Sequence, residues 1–220
     1  MIKIDERCPF CSEIHGLESL DGCISTEVTP PNGLRSRIIA ETKNFVVAPT
    51  LGAFVEGYVL IVAKDHYHSV SQMPISRVKE LRALINRVKR EIRNVYGTAS
   101  VCFEHGESLC SRRAGGCISH MHVHVVPCDA PMIERIRQLN MNAIEITSIL
   151  GLPRHYSQVP YLYFQDVTNK QFVFSGQVYP SQLFRQILAS YYNLGKQWDW
   201  RQFQFEDNII KTIERLRIGS

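Results

Sequence analysis

The segment His120-Met121-His122-Val123-His124-Val125-Val126-Pro127 sets three imidazoles at strict period two. Side chains on a strand alternate between faces. The spacing therefore predicts that His120, His122 and His124 project together while Met121, Val123 and Val125 pack behind them. One such ring could be a satisfied core histidine, but three in alternation would each need a polar partner. Two chemistries fit the stripe. Imidazole is a common metal ligand, and it is a competent nucleophile when its second nitrogen is oriented by a neighbouring acceptor. Spacing alone leaves both open.

Upstream, Arg112-Arg113-Ala114-Gly115-Gly116 runs into the strand. Glycines let backbone N–H groups close on a ligand, and guanidinium groups suit phosphate. An ordinary solvated turn is the plainer alternative. Near the N-terminus, Cys8 and Cys11 form Cys-Pro-Phe-Cys, a spacing that lets one turn present two thiolates to one ion. The chain has seven cysteines, and an odd count without a secretion signal argues against a disulfide framework. Plain burial is the other reading of the pair.

These groups need a scaffold. Strands are predicted at 38–39, 45–48 and 58–63, separated by the turn-rich stretch 49–57. Residues 76–96 are predicted helical, with Val78, Leu81, Ile85, Val88, Ile92 and Val95 on one face and a solvated Lys/Arg-rich face opposite. Strands at 99–104 and 117–127 follow, then a second helix over 131–150 with Ile136, Leu139, Ala143, Ile146 and Ile149 as its stripe. Beyond Pro153 the pattern gives a hairpin at 161–164 and 172–174, then helices at 181–194 and 208–216. No Pro- or Gly-rich linker isolates this segment, so it is expected to pack on the core. Its aromatic run, including Trp198, Trp200, Phe203 and Phe205, either covers the core, the favoured reading, or walls a pocket in which a tryptophan stacks a base beside Arg201.

Composition narrows the partners. The 220 residues carry a net charge of only +4, with basic residues dispersed, which argues against a polymeric nucleic acid and leaves a small anionic substrate open. No apolar run approaches the roughly 18 residues of a membrane span. The opening Met-Ile-Lys-Ile-Asp-Glu-Arg contains no signal-peptide core, so a cytoplasmic location is expected.

The alternation over 120–126 resembles the signature of the histidine-triad superfamily of nucleotide hydrolases and transferases. The order of the surrounding parts is similar as well. It runs through Cys-Pro-Phe-Cys, Gly57-Tyr58-Val59-Leu60-Ile61-Val62, Ala63-Lys64-Asp65-His66, an amphipathic helix, and Phe103-Glu104-His105-Gly106 before the triad. The resemblance implies an α+β fold with an antiparallel sheet and helices. Residues 1–152 would form a nucleotide-binding catalytic domain, and residues 153–220 an α+β extension packed on it. The implied reaction is attack by His122 on a nucleotide α-phosphate, with a nucleotidyl-histidine resolved by water or another acceptor. His124 would share the active-site shell, and His120 would orient the site or face a metal. Dinucleoside polyphosphates, nucleoside phosphoramidates and nucleotide esters are the implied substrates. A nucleotidyl transferase or phosphorylase is the alternative enzyme, and a zinc-stabilised nucleotide-binding protein without turnover is the alternative outside catalysis. An intact His122 favours turnover.

Resemblance to the zinc-containing branch implies that Cys8, Cys11, His66 and His120 hold a structural zinc, since a Cys2His2 set completes a closed tetrahedral site. His15, His68 and Cys23 are rival ligands. The chain also departs from the family pattern. Tyr58 stands where many members have histidine, Gly116 where many have glutamine, and Cys117 where serine or threonine is usual. Tyr58 and Gly116 would thereby remove two customary polar contacts. Glu104 stands roughly where an asparagine is common, and Thr50 where a ribose-binding acid is common. Arg112, Arg113, Gly115, Gly116, Cys117, Glu104 and Thr50 are therefore the substrate-binding candidates. Family members are often homodimers, an arrangement the extension after Pro153 could obstruct.

Overall fold

The structure, a computed structural model, describes residues 3–16, 36–107, 118–139, 141–175 and 179–219. Arg112, Arg113, Gly115, Gly116, Cys117 and Cys23 lie outside the described residues. The architecture is α+β, built on one eight-stranded sheet in which every pairing is antiparallel. The strands are β1 (Ala40–Glu41), β2 (Phe45–Pro49), β3 (Val59–Ala63), β4 (Ser100–Gly106), β5 (His122–Pro127), β6 (Ile144–Ile146), β7 (Tyr161–Gln165) and β8 (Gln171–Ser175). Their spatial order is β1-β2-β3-β5-β4-β7-β8-β6. β7 pairs with β4, so the C-terminal segment continues the sheet rather than merely resting on it. β6, which precedes residue 153, pairs with β8, which follows it.

Among the described residues, six α-helices flank the sheet: α1 (Pro9–His15), α2 (Ile75–Tyr96), α3 (Met132–Arg137), α4 (Leu152–His155), α5 (Leu183–Tyr191) and α6 (Glu206–Arg215). α2 buries Val78, Leu81, Leu84, Ile85, Val88 and Ile92, and burying each such side chain is worth roughly 1.5–3 kcal/mol. These residues pack on Phe45, Val47, Ile61, Cys102, Val123, Val125 and Tyr163 from one face of the sheet. Gly97, in the left-handed conformation, terminates the helix and donates to the Arg93 carbonyl.

The opposite face is covered in two parts. At the β2–β3 end, Phe10, Cys8 and Cys11 from α1 and its N-cap pack on Val46, Leu60 and Val62. At the other end, Phe184 and Leu188 of α5, with Trp200 and Ile209, cover Val101, Phe103, Val126, Leu162, Phe164, Phe172 and Phe174. Of the aromatic run, Trp200 is buried in this cover, while Trp198, Phe203 and Phe205 are half-buried. Gly52 makes the approach of Trp200 feasible: its φ is +66°, and a Cβ there would come within 2.6 Å of the Trp200 Cβ.

Two expected elements are corrected. The helix over 131–150 ends at Arg137, and Ile144–Ile146 is a strand paired with β8. Leu139 and Ile144, two residues in that stretch that a continuous helix would have to account for, are about half exposed, and strand pairing prevails over a coincidental helical period. The strand over 117–127 begins only at His122. Before it, the His120 N–H donates to the Ile118 carbonyl and the Met121 N–H to the Tyr67 carbonyl, a path that leaves the ladder.

Candidate active site and metal cluster

On β5, His122 and His124 share one sheet face and sit with ring centroids 5.0 Å apart, with Val123 and Val125 buried on the other. His120 precedes the strand, so the expected three-ring stripe is two rings on β5 and a third turned aside. The third ring enters a separate cluster. Its Nδ1 lies 3.3 Å from the Cys8 Sγ and 3.6 Å from the Cys11 Sγ, and the His66 Nδ1 lies 3.5 Å from the Cys11 Sγ. The donor atoms of Cys8, Cys11, His66 and His120 all fall within 4.8 Å of one another.

The donor set fits a tetrahedral ion. α1 begins immediately after Cys8, which places both thiols on its first turn, and Ala63 and His66 close the far side from the segment leaving β3. The His120 Nε2–H donates to the Ala63 carbonyl at 2.8 Å, which fixes the tautomer and leaves Nδ1 for the cluster. A hydrogen bond from the Cys8 thiol, aided by His120 and His66, holds Cys11 well below the ordinary thiol range. Thiolates are the form that binds metal. The rivals are engaged elsewhere: His15 Nε2 bonds the Lys64 carbonyl, and His68 Nδ1 bonds the Ser119 Oγ.

The His120 main chain faces the other way. Its carbonyl accepts from the His122 Nδ1 at 2.6 Å. With the proton on Nδ1, the His122 Nε2 is an unprotonated nitrogen with its lone pair free. Desolvation lowers the His122 pKa to about 4, so the ring is neutral and nucleophilic at neutral pH. Phe10 packs on it at 5.2 Å, and the residue remains partly exposed while His120 and His124 are buried.

His124 is held by different neighbours. Phe103 stacks on it at 4.3 Å and 10°, and the Tyr58 hydroxyl meets its Nδ1 at 2.7 Å. Tyr58 therefore supplies a polar contact, which corrects the expectation that this position loses one. The hydroxyl stays protonated, since burial raises the Tyr58 pKa to about 12, and it can donate to Nδ1. That leaves an Nε2–H on His124.

The remaining candidates are placed as follows. Glu104 is carried away from the histidines. On β4 the residues facing the histidines are Phe103 and His105, whereas Glu104 faces the α2 side. There its carboxylate accepts from the Tyr161 hydroxyl at 2.6 Å and the Val70 N–H at 2.7 Å. It is buried, and burial raises its pKa to about 7. Thr50 follows β2; its N–H donates to the Tyr58 carbonyl and its hydroxyl to the Leu51 carbonyl. Two residues that sequence reasoning did not single out stand at the site. His105 is on β4 and buried, its ring 6.3 Å from His124. Arg185 is on α5 and buried, its guanidinium 5.4 Å from the Tyr58 ring.

Residues 33–130 match the HIT domain family. No curated protein matches the chain in sequence. Among solved structures, the chain is similar to a hypothetical histidine triad nucleotide-binding protein from Sulfolobus tokodaii, at 22% identity over 55% of this chain and 68% of that one, with a TM-score of 0.40. It is also similar to a zinc-bound histidine triad family protein from Mycobacterium smegmatis, at 21% identity over 55% and 73%, TM-score 0.41. A third is a Hit-like protein involved in cell-cycle regulation from Bartonella henselae, at 10% identity over 58% and 84%, TM-score 0.44.

Proposed function

From a chain that carries a HIT domain over residues 33–130, we propose a nucleotide hydrolase or nucleotidyl transferase that works through a covalent intermediate on His122. The observation that carries this reading is the 2.6 Å bond from the His122 Nδ1 to the His120 carbonyl, which leaves Nε2 free. In the first step the Nε2 lone pair bonds to the α-phosphorus, and the bond from phosphorus to the leaving group breaks with its electron pair departing on that group. In the second, a water oxygen or an acceptor bonds to phosphorus, the N–P bond breaks, and the acceptor's proton is released. His124 presents its Nε2–H to the charge that develops on phosphoryl oxygens, held in that tautomer by Tyr58.

Cys8, Cys11, His66 and His120 would hold zinc. All four positions would be filled by protein, so the ion's role is to stabilise the fold around His120. Loading it ties the ring whose carbonyl orients His122. The partner is a small nucleotide, and no helix among the described residues is long and apolar enough to cross a membrane.

The test is intact-mass spectrometry after mixing with a panel of nucleotides. A nucleotidyl adduct mapping to His122 is expected, and it should disappear in His122→Ala. Tight nucleotide binding with neither adduct nor turnover would replace this reading with that of a non-catalytic binder.

A further inference from the structure

The side of the histidine face away from the metal cluster holds a buried cation with no acid beside it. Arg185 is 2% exposed. Its Nε donates to the Trp198 carbonyl at 2.9 Å and its Nη2 to the Gly52 carbonyl at 2.7 Å, while its Nη1 has no partner. The guanidinium lies over Phe54 and Tyr58, at 5.2 and 5.4 Å. Among the described residues, Arg185 forms no ion pair. Burying an arginine with no carboxylate partner is costly, and aromatic faces and two carbonyls offset only part of that cost.

A second buried nitrogen without a hydrogen-bond partner lies on the histidine face of the sheet. Phe103 on β4 lies opposite His124 on β5, and the same register places His105 opposite His122. His105 is 8% exposed, packed against Phe103 and Phe184 at 5.7 and 5.4 Å, and its Nε2 has no partner. The field of Arg185 reaches both His105 and His124. The two ends of the site therefore differ in charge. At one end Cys8, Cys11, His66 and His120 would hold a metal ion, and at the other Arg185 has no ion-pair partner among the described residues.

We propose that Arg185 and His105 form an anion subsite that takes a second phosphate, next to the one His122 attacks. The substrates this favours are nucleoside polyphosphates or dinucleoside polyphosphates, whose leaving group is itself anionic, over phosphoramidates, whose leaving group is an amine. Arg185 lies outside residues 33–130 and His105 inside them, so the C-terminal segment supplies the charged half of the subsite. This inference rests on the proposed chemistry at His122 and deepens it.

The experiment is calorimetric titration of inorganic pyrophosphate into the full chain as purified, alongside Arg185→Gln and His105→Gln, with melting curves for each. Pyrophosphate should bind the wild type and bind about tenfold more weakly in either variant, about the loss of one charged or buried hydrogen bond. In the same variants kcat/KM should fall for a nucleoside polyphosphate and hold for a phosphoramidate. If Arg185→Gln does not fold, His105→Gln alone carries the result. Absence of pyrophosphate binding, or unchanged binding in a folded variant, overturns the subsite. An adduct on His122 without pyrophosphate binding would leave the proposed function standing and refute only the subsite; pyrophosphate binding without an adduct would do the reverse.

Discussion

At the N-terminal end of the histidine face, His120 sits among metal-donor atoms, two cysteine sulfurs and a second imidazole, and its ring N–H donates to the Ala63 carbonyl. At the C-terminal end, His124 is held by surfaces, stacked on Phe103 and capped by a single hydroxyl from Tyr58, with α5 packed behind. The first arrangement is strong only when an ion completes it. The packing of the second around His124 needs no ion, because dispersion between rings is present in the chain alone. His122 sits between them and takes its orientation from the first end through one backbone carbonyl. In the proposed reaction, orientation would thus depend on a reversible component and the surroundings of charge development on a permanent one.

Removing one end entirely is the harshest test of that contrast. Truncation after Leu152 deletes β7, β8, α5, α6 and all but the first residue of α4, exposing the outer edge of β4 and stripping Phe184 from Phe103. The product should be insoluble or molten, with far-UV but no near-UV dichroism. A soluble truncation with full turnover would show the two ends to be independent. Next in size is His122→Ala, which touches neither end's framework. Turnover should fall by roughly a thousandfold or more, about 4 kcal/mol of barrier, with melting nearly unchanged. Retention of a tenth of wild-type kcat would exclude the nucleophilic role.

Cys11→Ser attacks the donor-held end alone. Metal content by elemental analysis should drop below one zinc per chain, and Tm should fall by at least about 5 °C. Amide exchange should rise around His66 and His120 and stay low around Phe103. Unchanged melting in metal-free protein would remove the zinc assignment. Tyr58→Phe attacks the surface-held end and keeps the ring. It should lower kcat/KM by about tenfold through loss of the His124 tautomer, with about 1 kcal/mol lost from stability. An unchanged kcat/KM would make that hydroxyl structural only.

Glu104→Gln is the control on the opposite face. Burial raises the carboxyl from 4.5 to about 7 in the folded chain, so folding favours the protonated form. The group's contribution is full below pH 4.5, declines as pH rises, and is lost by about pH 7, a swing of at most ~3 kcal/mol. Urea midpoints of the variant should therefore vary less than those of the wild type between pH 4.5 and 8. Parallel curves would contradict the assigned environment.

The donor-held end was legible through the family resemblance, because its parts come in a recognisable order: Cys8 and Cys11 share one turn, His66 follows β3 and His120 precedes β5. The core of α2 was readable directly, since six apolar residues at helical spacing have one way to face the sheet. The surface-held end was not. Tyr58, Phe103, His124 and Arg185 come from four elements, and nothing in the order of residues states that α5 lies over β4 and β5. Glu104 was misplaced by one step of a strand's two-residue period. Its neighbour His105 carries the parity that faces the site, and without the β4–β5 register neither residue could be preferred. Helix 131–150 failed because the partner that claims Ile144 and Ile146 lies on β8.

The pairing of β4 with β7 also has a consequence in time. The last residue of β7 is made 59 positions after the last residue of β4, on the order of 3–12 s later at ordinary rates of synthesis. Throughout that interval a nascent chain carries β4 as an open edge, with seven residues that are all buried in the finished protein. Bringing β7 home closes a long loop, a slow kind of contact to form. Crowded translation, cold or a pause in the second half of the message should therefore raise misassembly without touching the stability of the finished fold.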